Sequence, residues 1–202
     1  MFNIIFCAIL CGQTLSKLVV QGPSSLKALF RDGVIQASYA NFGFIPYGHT
    51  MFGGLYFQEK FDTMCGEHEQ YDTIPWNVNG YATFVLADRG GCSFVEKVRN
   101  MEMQGAALGI VIDNTDESIE DIVMSDDGTG AGIRVPSMLI SKKDGLKLID
   151  FMNTASEDEL KQVTFVAEFD ISRPDNRVEY DIWFSSTDDK MFDFMVDFAR
   201  VD

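Results

Sequence analysis

Two histidines in 202 residues, His49 and His68, leave little material for acid–base catalysis, and neither stands at metal-ligand spacing. The serine elbow GxSxG, the helical zinc pair HExxH, the phosphate-binding loop and the dinucleotide fingerprint GxGxxG are all missing. Paired carboxylates do occur, but in so acidic a chain their closeness in sequence carries almost no information. An enzyme is not expected, and neither is a metal or other cofactor. Basic residues are also few. Sixteen Lys and Arg against 31 Asp and Glu give a net charge of −15, a field that works against nucleic-acid phosphates and anionic membrane surfaces. A basic partner fits that charge, and so does plain solubility. No Asn-x-Ser/Thr sequon occurs, so N-glycosylation is not expected.

The apolar run Phe2 to Cys11 is roughly half of the ~18 residues that span a bilayer. Small and polar residues follow it, with Thr14 and Ser16 placed for cleavage, which reads as a signal peptide over 1–16 without the usual basic start. A buried first strand is the alternative. Cleavage would remove Cys7 and Cys11 and leave Cys65 and Cys92, which lack CxxC spacing. In a secreted chain such a pair suggests one disulfide, contributing on the order of 3–4 kcal/mol if unstrained. Two buried free thiols are the alternative.

The organising stretch is Ala82 to Asn114. Thr83 to Ala87 and Ala107 to Ile112 are short apolar, β-branched runs closed by Asp-Arg-Gly-Gly and Asp-Asn, as buried strands are. Between them Ser93 and Glu96 make a capping box, Phe94, Val95, Val98, Met101 and Met103 supply apolar faces, and Gly105 stops the helix. A strand–helix–strand unit places the loop Asp88-Arg89-Gly90-Gly91-Cys92 at a strand end. Its glycines let a backbone approach, and the planar Arg89 guanidinium can grip a carboxylate or a carbonyl with two parallel bonds. The plainer reading is a surface pair between Arg89 and Asp88 or another neighbouring acid.

Elsewhere Lys17 to Val20 reads as an edge strand, Ile35 to Tyr39 and Gly53 to Phe57 as further strands, and Val163 to Phe169 as the closing one. Pro136 opens the strand Val135 to Ile140, which suggests an edge or first-residue position. Ser141 caps a helix, Lys142 to Phe151, whose apolar face is Leu146, Leu148 and Ile149. Ala40 to Gly48 holds two glycines, a proline and three aromatics, so it is a loop, packed by its own rings or offering them to a ligand. The acidic turns after Asn114 do not match an EF-hand loop. Val178 to Phe184 reads as a strand and Asp188 to Ala199 as an amphipathic helix. The expected fold class is α+β, a β-sandwich or open barrel with peripheral helices and a short C-terminal strand–helix segment.

The run Asp88-Arg89-Gly90-Gly91-Cys92-Ser93-Phe94, with Lys97-Val98, Gly105-Ala106-Ala107 and Val135 to Ile140, resembles a protease-associated (PA) domain. More narrowly, Ala40 to Gly43, Pro46-Tyr47-Gly48, Asp175 to Tyr180 and Trp183 resemble the luminal cargo-binding region of vacuolar sorting receptors. Gly91 departs from the family, which often has an acid there, and Ser93 replaces a bulkier residue. The resemblance implies a PA fold over 17–169, with 170–202 as a linker and the start of a further luminal domain. It implies no catalysis, and peptide binding by Arg89, Asp88, Gly90, Gly91, Asn41, Phe42, Gly43, Tyr47 and, more weakly, Met124. The implied partners are cargo proteins carrying sorting signals, and the implied location is the secretory-pathway lumen or outside the cell. The alternative is a secreted, stand-alone PA domain that scaffolds or regulates a protease or another partner. A membrane span encoded beyond Asp202 would favour the receptor. Protonation of the many carboxylates in acid compartments predicts pH-dependent release.

Overall fold

A computed structural model describes residues 16–57, 63–66, 75 and 77–170, and the backbone of 180–187 and 191–198. The proposed signal peptide up to residue 15, His68, Trp76 and the turn at 173–176 lie outside the described residues. The chain divides into two compact units, 1–170 and 171–202.

The first unit contains strands β1 (Ser16–Gly22), β2 (Val34–Tyr39), β3 (Thr50–Tyr56), β4 (Asn77–Val78), β5 (Tyr81–Asp88), β6 (Leu108–Ile112), β7 (Ser137–Ile140) and β8 (Thr164–Glu168). Its helices are α1 (Ser24–Lys27), α2 (Phe94–Met103), α3 (Lys142–Thr154) and α4 (Glu157–Leu160). The sheet runs β3-β8-β1-β2-β7-β6-β5, and β5 pairs with β3 to close a barrel of seven strands, with β4 added outside the ring. The barrel expected to be open is therefore shut, and its closing pair is parallel, Gly53 to Tyr56 beside Ala82 to Val85. Pairings β5–β6 and β6–β7 are parallel too, while β1, β2 and β8 join antiparallel.

Strand alternation sorts the apolar residues into two cores. Phe84, Leu86, Leu108, Ile110, Ile112, Met138 and Ile140 face the barrel interior with Leu18, Val20 and Phe165. Their sequence neighbours Val85, Ala87, Val111 and Leu139 face outward and pack under α2 through Val95, Val98 and Met101. Helix and sheet approach closely at Gly109, where an added Cβ would stand 2.8 Å from Met101 Sδ.

Three local expectations change. β1 lies between β2 and β8, so it is an interior strand rather than an edge, as its alternately buried Leu18 and Val20 require. β7 is likewise interior, and Pro136 stands just before it, where its carbonyl accepts the Gly109 N–H. Leu146 and Met103, expected on apolar faces, are exposed, because α3 turns Gly145, Leu148 and Phe151 inward and α2 ends at Met103.

The second unit is a hairpin of β9 (Tyr180–Thr187) and β10 (Met191–Phe198), in register from Met191 opposite Thr187 to Phe198 opposite Tyr180. The amphipathic helix expected over Asp188 to Ala199 is replaced by a strand. Phe192, Phe194, Val196 and Phe198 recur at every second position, a period that fits a strand at least as well as a helix, and aromatic content favours the strand.

Candidate functional site

The Arg89 loop leaves the C-terminal end of β5. Arg89 N–H donates to Ile112 O at 2.8 Å, so the loop starts still tied to the end of β6. The next residue of that neighbouring strand end, Asp113, turns its carboxylate onto the arginine. Arg89 Nη1 lies 2.6 Å from Asp113 Oδ1, with Asp113 1% exposed and Arg89 31% exposed. Thr115 Oγ1 donates to the other oxygen, Asp113 Oδ2, at 2.5 Å. Burial pushes the Asp113 carboxyl up, but the bonds from Thr115 and Arg89 and the Arg89 charge together hold it below its ordinary range. The Phe94 ring lies 5.4 Å from the guanidinium carbon, so ring and carboxylate together set the direction in which Arg89 points.

Three further anchors hold the loop. Cys92 is bonded to Cys65, with Cα atoms 5.7 Å apart. Gly91 has φ +79, and a Cβ there would meet Cys65 Sγ at 3.0 Å, so the turn and the disulfide together leave room only for glycine. The third anchor is Lys97, a fully buried lysine on α2. Its Nζ donates to Gly90 O at 3.1 Å and to Thr63 O, and lies 3.3 Å from Cys65 Sγ. One turn on, Asn100 Nδ2 donates to Met64 O and Gly66 O at 3.0 and 3.3 Å. Two polar residues three apart on one helix face thus replace the missing regular structure of residues 63–66.

Ser93 caps α2 by accepting the Glu96 N–H at 3.1 Å. The Ser93 hydroxyl near Asp127, with the Thr129 amide and hydroxyl bonded to it, holds that carboxyl down at about 2. The acidic turn therefore sits against the positive end of the α2 dipole. Asp126 and Asp127 turn their oxygens onto Gly128, Thr129 and Gly130 amides rather than converging on a common point. Among the described residues no group of three His, Cys, Asp or Glu could hold a metal ion, and no helix is long and apolar enough to cross a membrane.

The Asn41 loop starts at the other end of the parallel strands. Ala40 N–H donates to Ser137 O at the start of β7, whereas Arg89 is tied to the end of β6. The two loops are linked along the outer face by the acidic turn, since Asn41 Oδ1 accepts the Asp126 N–H at 2.7 Å and Asp127 reaches Ser93. Of the residues singled out in this loop, Asn41 is exposed and Tyr47 is 38% exposed, against the Tyr39 ring at 6.0 Å. Phe42 and Met124 are buried in the outer core, so any ligand could meet only their backbones. Gly43 backs onto Val135 O, where a Cβ would stand at 2.9 Å. Phe44, which the motif reading passed over, is the most exposed aromatic here at 55%. Asp113 and Asn100 are not among the residues the sequence singles out, and Lys97 is there only as part of the PA-like motif, with no anchoring role. Lys97 could have been noticed by its place between Phe94 and Met101 on the buried helix face, whereas Asp113 reads only as a strand stop.

The PA domain family model matches residues 53–148. Vacuolar-sorting receptor 3 of Arabidopsis thaliana is 28% identical over 195 residues, covering 91% of this chain and 30% of the receptor. Vacuolar-sorting receptor 1 of Pisum sativum is 27% identical over 194 residues, with the same two coverages. The chain thus spans about 30% of the length of these relatives. Among solved structures, a zinc aminopeptidase from Bacillus subtilis superposes with TM-score 0.50 at 17% identity, over 76% of this chain and 29% of the enzyme, a likeness of fold alone. Residues 53–148 of the chain thus match the PA domain, and the chain is similar to the vacuolar-sorting receptors across 91% of its length.

Proposed function

We infer that this chain is a non-enzymatic module that binds peptides and proteins, recognising sorting signals on soluble cargo in the lumen of the secretory pathway. The observation that carries the reading is the Arg89 loop. A guanidinium one-third exposed, aimed by a buried carboxylate and set beside two glycines, is a preorganised donor for an extended backbone. The disulfide and Lys97 hold that loop before any ligand arrives, so little ordering entropy remains to be lost on binding. Arg89, Asp88, Gly90 and Gly91 form the first part of the site. Asn41, Gly43 and Tyr47, with Phe44 beside them, form the second, reached along the acidic turn. Similarity to vacuolar-sorting receptors supports the cargo class, and the disulfide supports an oxidising compartment.

Calorimetric titration of the chain and of Arg89→Ala with a panel of vacuolar sorting-signal peptides tests this reading. Saturable binding that the substitution abolishes, with the fold and the Cys65–Cys92 bond intact, is the expected result. Absence of binding by the folded, disulfide-bonded chain sinks it and leaves a scaffolding role.

A further inference from the structure

α2 covers the outer face of the barrel over β5, β6 and β7. Elsewhere around the barrel, β2, β1, β8 and β3 carry an outward apolar row that belongs to neither core. Leu18, Val20, Ile35, Phe165 and Ala167 fill the interior, and a Cβ on Gly53 would strike the interior ring of Phe84. Alternation then sends Val19, Val34, Val166 and Phe52 outward. Register lines them up, since Val34 pairs with Val19, Val19 with Val166, and Val166 with Phe52. Val19 and Val34 are half-buried, and Phe52, at 57%, is the most exposed aromatic among the described residues. Two residues along each strand, on the same face, a polar row follows in the same register: Gln36, Lys17, Glu168, Thr50.

Both rows are self-complementary about a single axis. A two-fold axis parallel to the strands and passing between β1 and β8 sets β1 of one copy over β8 of the next, and β2 over β3. Lys17 then faces Glu168 of the second copy, twice in each pair, and Gln36 faces Thr50. In the row beside it Val19 faces Val166 and Val34 faces Phe52. Each charge meets its opposite and each apolar residue an apolar one, which is what an isologous contact requires. We propose that this face pairs with a second copy of the chain, in a two-fold dimer centred on Val19, Val166 and Phe52 and flanked by Lys17 and Glu168. Lys17 Nζ lies 3.6 Å from Asp170 of its own chain and is 41% exposed, so its remaining donors stay available across the contact. A barrel surface is convex, so the contact falls short of the roughly 800 Å² a side of a standard stable interface and the dimer is weak. The net charge of −15 on each copy opposes pairing at low salt, and a Debye length of about 8 Å at physiological ionic strength screens most of that repulsion.

Sedimentation velocity of the full chain, with its disulfide intact, at physiological ionic strength and rising concentration reads the equilibrium. Wild type should pass from monomer to dimer at high micromolar concentration. Lys17→Glu and Glu168→Lys each set like charges across the face and should weaken association by roughly tenfold. Mixed in equal amounts, the two variants restore opposite charges at both crossings, and the mixture should associate within about twofold of wild type. Within one chain the same substitutions only disturb a cross-strand pair, which mixing does not repair. Phe52→Ser, at an exposed position outside both cores, should weaken association by roughly tenfold and leave the melting temperature nearly unchanged.

Wild type that stays monomeric to millimolar concentration overturns the proposal whatever the variants do, and leaves the row to a different protein. A wild-type dimer that Phe52→Ser leaves intact also overturns it, placing the contact on another surface. So does a mixture of Lys17→Glu and Glu168→Lys that associates no better than either alone, because the two polar rows then do not face each other. None of these measurements uses a peptide ligand, so their outcome is independent of the Arg89 site.

Discussion

The Arg89 loop and the Asn41–Gly48 loop both use glycine to turn and both leave the ends of barrel strands, yet they are held in different ways. The first is fixed by strong, specific anchors: a disulfide, a buried ammonium on two carbonyls, and a sealed carboxylate. The second rests on backbone bonds to Ser137, Met124 and Phe169 and on rings packed edge to face, with Phe44 and Tyr47 left partly in solvent. A rigid donor loop at one end of the strands and an adaptable aromatic one at the other is a division suited to a site that must orient a backbone and tolerate varied side chains. Polar anchors fix direction because hydrogen bonds are directional, whereas apolar contacts are not.

The comparison can be broken by measuring stability and peptide affinity together. Replacing both cysteines, Cys65→Ser with Cys92→Ser, should cost on the order of 3–4 kcal/mol of unfolding free energy, read from urea denaturation. Affinity should fall with it. Lys97→Met keeps the buried stem but strips two carbonyls of their donor, and should cost on the order of 2–3 kcal/mol. Hydrogen exchange at Gly90, Gly91 and Cys92 should rise in that variant, and unchanged exchange there would show that Lys97 supports the helix rather than the loop.

On the other loop, Asn41→Ala loses the bond to the Asp126 amide and should cost only about 1 kcal/mol, because the site is exposed and water can substitute. Phe44→Ala should stay within ~0.5 kcal/mol of wild type in stability while weakening peptide binding. Destabilisation by Phe44→Ala as large as that by Lys97→Met would erase the proposed contrast.

The smallest effect concerns pH. Asp113 and Asp127 titrate lower in the folded chain than in the unfolded one, so what they add to stability is complete above the ordinary carboxylate pKa of ~4. It is lost as pH falls through the folded values, which for Asp127 is about 2. Between pH 7 and 5 the charges of the Arg89 loop do not change, and affinity there should vary less than about twofold. A larger drop would place acid release on the exposed carboxylates elsewhere on the surface, as the overall charge alone suggests.

How much of this was legible beforehand follows from the range of the interactions. The unit β5–Arg89 loop–α2–β6 can be read from sequence because each of its signals is local: β-branched runs, Ser93 at a cap, Gly105 at a stop. The Cys65–Cys92 pair is legible because, if 1–16 is read as a signal peptide, only two cysteines remain. The hairpin over 180–198 was misread at its second strand because Asp188 to Ala199 carries apolar residues at both periods, and the partner strand decides between them.

The chain by itself determined the strands and helices around the Arg89 loop and the placing of its glycines, since those depend on neighbours within a few residues. Only the tertiary structure decided that β3 closes the barrel on β5, that Phe42 and Met124 turn inward, and that Lys97 is swallowed by residues 63–66. It alone gave Arg89 the partner Asp113, 24 positions away. Such pairings join residues far apart in sequence through parallel strands and burial, and no local pattern records which distant residue a buried charge will face.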